Sequence, residues 1–124
     1  MNTPADLKYT KDHEWARIEN DVAIIGITDY AQGELGDIVY VELPQIGDEI
    51  AMNETFGTIE AVKAVSDLYG PVSGEVIDVN SALEDTPEII NQDPYNEGWM
   101  IKLKIKNMKE VDELLDNSQY EALI

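Results

Sequence analysis

The segment from Gly57 to Val79 constrains the fold more than any other stretch of the chain. Thr58-Ile59-Glu60-Ala61-Val62 reads as one strand and Val65-Ser66-Asp67-Leu68-Tyr69 as the next, with Lys63-Ala64 at the tip of the tight turn between them. Gly70-Pro71 and Ser73-Gly74 then punctuate the chain before a further strand, Glu75-Val76-Ile77-Asp78-Val79. Lys63 is the only basic residue between Arg17 and Lys102, so the hairpin carries it alone at an exposed apex. Such a tip gives a modifying enzyme access to backbone and side chain together. A lysine on a loop is by default only a solubilising charge. The ordered layout of strand, lysine tip, strand, Gly-Pro turn and strand lifts Lys63 above that default, as a point where an arm could be attached.

The rest of the chain supplies more short strands. Tyr9 to Ile18 reads as a first strand region holding Trp15, and Val22 to Ile27 as a buried strand. Asp29 to Leu35 reads as a short helix stopped at Gly36. From Asp37 to Leu43 strict alternation puts Ile38, Tyr40 and Glu42 on one face and Val39, Val41 and Leu43 on the other. A helical turn is expected within Leu83 to Ile90, around Pro87. In Trp99 to Lys106, Trp99, Ile101, Leu103 and Ile105 face the core, while Met100, Lys102, Lys104 and Lys106 face water as solvated charges and their neighbour. Val111, Leu114 and Leu115 recur at helical spacing, and Ser118 with Glu121 fits a capping box for a last helix running toward Ile124. Many short strands with turn signals predict a mainly β sandwich or small barrel, and 124 residues fit a single domain over 1–124.

Charge and composition narrow the function. With 26 acidic against 8 basic residues, the net charge of −18 argues against nucleic-acid partners and against adsorption to anionic membranes. It suits solubility, and it suits steering toward enzymes with basic docking faces. The chain has no cysteine and one histidine, which excludes disulfides and argues against cysteine- or histidine-rich metal sites. His13, without a nucleophile motif nearby, does not make a hydrolytic triad and is expected to be structural, hydrogen-bonded near Trp15. No apolar stretch is long enough to span a bilayer. The segment Met1–Asp6 lacks the features of a secretory or transit leader, so a bacterial cytoplasm is the expected location.

The layout around Lys63 resembles lipoyl- and biotinyl-carrier domains. A biotin carrier fits less well, because its lysine usually lies between two methionines and here the flanking residues are Val62 and Ala64. The resemblance becomes specific through His13-Glu14-Trp15, Gly26 to Gln32, Leu35 to Pro44, Glu60 to Asp67, Pro71 to Val76, Asn80, Asn91, Pro94-Tyr95 and Gly98-Trp99. In that order, from about Leu7 to Ile124, the chain resembles the glycine cleavage H-protein family.

The resemblance implies a flattened barrel-sandwich hybrid with short peripheral and C-terminal helices. It implies a non-catalytic carrier with lipoate covalently bound to Lys63 as lipoyl-lysine. The partners implied are glycine decarboxylase (P protein), which loads an aminomethyl group onto the arm; the tetrahydrofolate-dependent aminomethyltransferase (T protein), which removes it; dihydrolipoamide dehydrogenase (L protein), which reoxidises the dithiol; and a lipoate-attaching enzyme. The carrier is expected to be a monomer. Glu14 and Asp67, in matching motifs, are candidates for a groove that shelters the loaded arm, against plainer roles as a surface acid beside Trp15 and as support for the hairpin. Glu60 is a candidate for recognition during lipoylation, and Gly57, Gly70 and Gly74 for turns and close backbone approach. Tyr30, where some relatives carry histidine, and Glu34, in a variable stretch, give no secure groove contact. Two other readings remain: a scaffold that relays lipoate to other lipoyl proteins, and an unmodified module that docks a partner through its acidic surface.

Overall fold

The computed structural model describes residues 2–124; Met1, the first residue of the expected domain, lies outside the described residues. Antiparallel pairing gathers the strands into two sheets. Strands β1 (Lys8–Tyr9), β2 (Glu14–Glu19) and β3 (Val22–Ile27) form one end of a six-stranded sheet, continued by β9 (Ile101–Ile105), β8 (Gly74–Val79) and β5 (Glu49–Ile50). Strands β4 (Ile38–Glu42), β6 (Thr55–Ala61) and β7 (Val65–Tyr69) form a three-stranded sheet. Ile59 and Leu68 of the small sheet share one buried cluster with Ala23, Ile25, Val76 and Leu103 of the large one. The two sheets therefore close on a common core in the barrel-sandwich arrangement, and removing that apolar area from water is the main drive for the fold.

A second cluster of Leu7, Tyr9, Trp15, Tyr95 and Tyr120 ties the chain's ends to the open side of the large sheet. Tyr9 stacks on Tyr120 with ring centroids 4.8 Å apart and an interplanar angle of 8°. Buried tyrosines and tryptophans need partners for their polar ends. The Trp15 indole N–H donates to the Pro94 carbonyl at 2.9 Å, and the Tyr9 hydroxyl to the Pro4 carbonyl at 2.6 Å.

Most of the local readings stand. Helix α1 spans Asp29–Leu35, capped by Thr28, whose hydroxyl accepts from the Ala31 N–H, and stopped at Gly36 with φ +81°. The β9 lysines point outward as expected, but each meets an acid: Lys102 meets Asp78 at 3.9 Å, Lys104 meets Asp21 at 3.6 Å, and Lys106 pairs with Glu49. The expected faces of Trp99 and Met100 are corrected, because the strand and its alternation begin only at Ile101: Met100 is fully buried, and Trp99 is half-buried with the Lys102 ammonium over its ring at 5.0 Å.

Five further readings are corrected. The first strand region is two strands, β1 and β2, joined by a turn in which His13 takes φ +71°. Strict alternation fails in β4, where a register shift between Ile38 and Tyr40 leaves Val39 and Tyr40 both exposed while Ile38 and Val41 are buried. The turn around Pro87 is two short helices, α2 (Ala82–Asp85) and α3 (Ile89–Gln92). The stretch before the C-terminus is a 3₁₀ helix over Met108–Glu113, after which Leu115 pairs with Tyr9 through reciprocal backbone bonds of 2.8 Å. The last helix, α4 (Asn117–Glu121), has its capping box on Asp116 and Gln119, which places Ser118 and Glu121 inside the helix. Two of the three glycines sit within or at the head of strands rather than in turns: a Cβ on Gly57 would run into the Glu42 carbonyl, and one on Gly74 into that of Lys104.

Candidate functional site

Strands β6 and β7 pair from Thr55↔Tyr69 to Glu60↔Val65, and the Ala61 N–H donates to the Ala64 carbonyl at 2.8 Å. Lys63 thus stands at the apex, exposed, between Val62 and Ala64. The tip is held from below. The Val62 N–H donates to the Asp37 carbonyl at 3.0 Å, and the aliphatic stem of Lys63 lies over Gly36. Gly36 and Ile38 are fixed in turn by Asn91 of α3. Its amide N–H donates to the Gly36 carbonyl at 2.9 Å, and its side-chain oxygen accepts from the Ile38 N–H at 2.9 Å. An exposed side chain therefore sits on a shelf held by backbone and amide hydrogen bonds. Among the described residues, Lys63 is in none of the ion pairs.

Leu35, the chain neighbour of Gly36, lines a groove of about 290 Å³. One wall is α1, through Tyr30, Ala31, Glu34 and Leu35; the opposite wall is the hairpin, through Ile59, Ser66, Asp67 and Leu68. His13, Glu14 and Ile27 close the end. Glu14 pairs with Ile27 in the β2–β3 register, which aims its side chain inward. The groove is thus mixed in character: Ile27, Ala31, Leu35, Ile59 and Leu68 give it apolar surface, and Asp12, Glu14, Glu34 and Asp67 bring carboxyl groups to it.

Glu14 is only 1 % exposed. The Thr10 hydroxyl donates to one of its carboxyl oxygens at 2.6 Å, and the Tyr69 N–H approaches the other at 3.3 Å. Burial pushes its pKa up to about 8, with Asp12 adding to the rise and the two hydrogen bonds opposing it. His13 is neutral-leaning: burial holds its imidazole below the usual histidine value, against the pull of Asp12 and Glu34. Its Nδ1 lies 2.8 Å from the Tyr120 hydroxyl, which in turn lies 2.7 Å from the Thr28 hydroxyl.

The structure brings Glu14 and Asp67 to one groove, 53 residues apart in the sequence and on different sheets. The plainer reading of Glu14 as a surface acid is overturned by its burial. Glu60 lies on the exposed side of the tip, beside Val65, and does not line the groove. His13 bonds Tyr120, a member of the same buried cluster as Trp15, so the expected structural hydrogen bond near Trp15 is made through Tyr120. Tyr30 and Glu34 do line the groove. Their spacing with Ala31 and Leu35, one helical face, carried that signal in the sequence. The role of Tyr120 had no such signal, since its partners His13 and Thr28 are remote in the chain.

An exposed amine on Lys63 and a groove that offers both aliphatic side chains and carboxyl groups suit a long aliphatic arm with a cationic end. Among the described residues no group of acids and histidines is arranged to hold a metal ion, and no helix is long and apolar enough to cross a membrane.

Known proteins agree with this architecture over its whole extent. The sequence model of the glycine cleavage H-protein family matches residues 7–124. The glycine cleavage system H protein of Symbiobacterium thermophilum is 58 % identical over 121 residues, covering 98 % of this chain and 94 % of the relative. That of Geobacillus kaustophilus is 57 % identical over 124 residues, covering 100 % of this chain and 98 % of the relative. The crystal structure of a glycine cleavage system H protein from Mycobacterium marinum superposes with a TM-score of 0.89 at 39 % identity, covering 96 % of each chain. The lysine tip, its shelf and the groove thus lie on a chain that belongs to the glycine cleavage H-protein family.

Proposed function

We propose that this chain, as one domain over 1–124, is the lipoylated carrier of the glycine cleavage system, with lipoate on Lys63. The observation that carries the reading is the exposed Lys63 at the hairpin tip with its stem over Gly36, the chain neighbour of Leu35, which lines the carboxyl-bearing groove. Lipoate, when attached, supplies a dithiolane that accepts an aminomethyl group from glycine and passes it on. The partners are glycine decarboxylase, the tetrahydrofolate-dependent aminomethyltransferase, dihydrolipoamide dehydrogenase and a lipoate-attaching enzyme. The chain catalyses none of these steps.

Its own residues present and protect. Asn91 and Gly36 fix the base of the arm. Ile27, Leu35, Ile59 and Leu68 exclude water from the groove. Glu14 and Asp67 hold the ammonium end of the cargo: a cation arriving beside the buried Glu14 favours its ionised form and draws out its proton. Glu60, exposed at the tip, serves recognition by the attaching enzyme. The carrier works in the bacterial cytoplasm as a monomer, a reading that its strongly acidic composition suits.

The test is intact mass. Protein produced with lipoate gains one lipoyl group, then one aminomethyl group on incubation with glycine decarboxylase and glycine, and Lys63→Ala gains neither. Lipoylation without glycine-dependent loading would favour a lipoate-relay scaffold, and absence of any modification would leave an acidic docking module.

A further inference from the structure

Tyr120 joins the C-terminal helix to the end of the groove, and its hydrogen bonds have a direction. Thr28 is fully buried, and its hydroxyl oxygen already accepts the Ala31 N–H at 3.2 Å as the cap of α1. The hydroxyl's own proton has one acceptor within reach among the described residues, the Tyr120 oxygen at 2.7 Å. The Tyr120 proton must then go to His13 Nδ1, 2.8 Å away. An imidazole that accepts at Nδ1 carries its proton on Nε2. Protonating His13 would turn the chain round: Nδ1–H would donate to Tyr120, Tyr120 to Thr28, and the buried Thr28 proton would be left without an acceptor.

We propose that Tyr120 is a positioning residue for the groove: its hydroxyl holds His13 as the neutral Nε2–H tautomer, so that the wall beside Glu14 does not present a cation to a cationic cargo. The role rests on the reading of the groove given above. An imidazolium there would repel an ammonium and would compete with it for the same carboxyl groups. The groups facing His13 are Asp12 and Glu14 of its own strand and turn, Tyr30 and Glu34 of α1, Asp67 of β7 and Tyr120 of α4. Burial acts in the same direction as the hydroxyl chain, against the two acids nearest the ring, Asp12 and Glu34.

Nitrogen-15 NMR of the histidine ring in unmodified protein tests the first half. Wild type should show Nε2–H below and above neutral pH, with a titration midpoint under the ordinary histidine value. Tyr120→Phe keeps the ring that stacks on Tyr9 and removes only the hydroxyl. It should mix the two tautomers and raise the midpoint. An Nδ1–H tautomer in wild type, or an unchanged ring in a folded Tyr120→Phe, overturns the proposal; if the variant fails to fold, the wild-type tautomer alone decides. The second half is the lifetime of the loaded arm. In Tyr120→Phe it should fall severalfold at pH 6, where the released histidine charges, and match wild type at pH 9. The expected NMR with equal lifetimes at both pH values would overturn the positioning role through the groove reading itself, since the cargo would then not be seated beside His13.

Discussion

Glu14 shows how one side chain can be placed against stability. A carboxyl that is buried beside an apolar trough is held neutral, and its pKa rises from 4.5 to about 8. For an acid whose folded value lies above its unfolded one, the linked stabilisation is complete below the unfolded value and is lost as pH climbs through the folded value. Wild type should therefore lose stability between about pH 4.5 and pH 8, by on the order of a few kcal/mol in all. Glu14→Gln keeps the shape but cannot ionise, and its single amide oxygen can accept from Thr10 or from Tyr69 but not from both, so it loses one hydrogen bond at every pH. Its melting temperature should lie below wild type near pH 5 and gain on it steadily as pH rises toward 9. The same variant should release the aminomethyl cargo faster, because no carboxylate can form against the ammonium. A melting difference that does not change with pH would mean that Glu14 is already charged in the folded protein.

At the scale of elements, the hairpin depends on how closely β6 can approach β4. Gly57 sits at a register shift in β6, where an added Cβ would strike the Glu42 carbonyl. A backbone oxygen cannot swing aside as a side-chain end does, so Gly57→Ala must push β4 and β6 apart. Overpacking of this kind typically costs about 1–3 kcal/mol. Chemical denaturation of Gly57→Ala should show a loss in that range, with hydrogen exchange rising first in β4, β6 and β7. A neutral substitution would place the strain elsewhere in the sheet. Elements whose signals are local were legible in the sequence: the lysine hairpin, the helix Asp29–Leu35 with its Gly36 stop, and the alternation of β9. The faces of β4 were not, because a bulge is a mismatch between two strands and neither strand alone encodes it. Likewise the pairing of β9 between β3 and β8, and the contact of the buried Glu14 with Tyr69, arise from residues remote in sequence. The family resemblance supplied the topology; the residues' own periodicity reached only a sandwich or barrel.

On the scale of the whole molecule, charge is distributed with a purpose that composition alone conceals. Three of the eight basic residues are spent on ion pairs along the outer face of β9 and its neighbours, far along the six-stranded sheet from the β6–β7 tip. Exposed pairs of this type add little stability, generally under about 1 kcal/mol each. Around Lys63, by contrast, Asp37, Glu42, Glu60 and Asp67 are exposed, together with the apolar Val39, Tyr40, Val62 and Val65. Acylating the lysine removes the lone positive charge there and leaves an acidic field around an apolar centre. Such a field accelerates encounter with a basic face, and the acceleration decays as salt shortens the Debye length to about 8 Å at physiological ionic strength. Stopped-flow association of the lipoylated protein with glycine decarboxylase should slow by at least severalfold between about 10 mM and 500 mM salt, while the dissociation rate changes less. Glu60→Gln and Asp67→Asn together should flatten that salt dependence, whereas Asp21→Asn, beside Lys104 on the far face, should leave it as it is. Association rates that stay level across the salt series would show that the charge serves solubility, and that docking relies on the apolar centre alone.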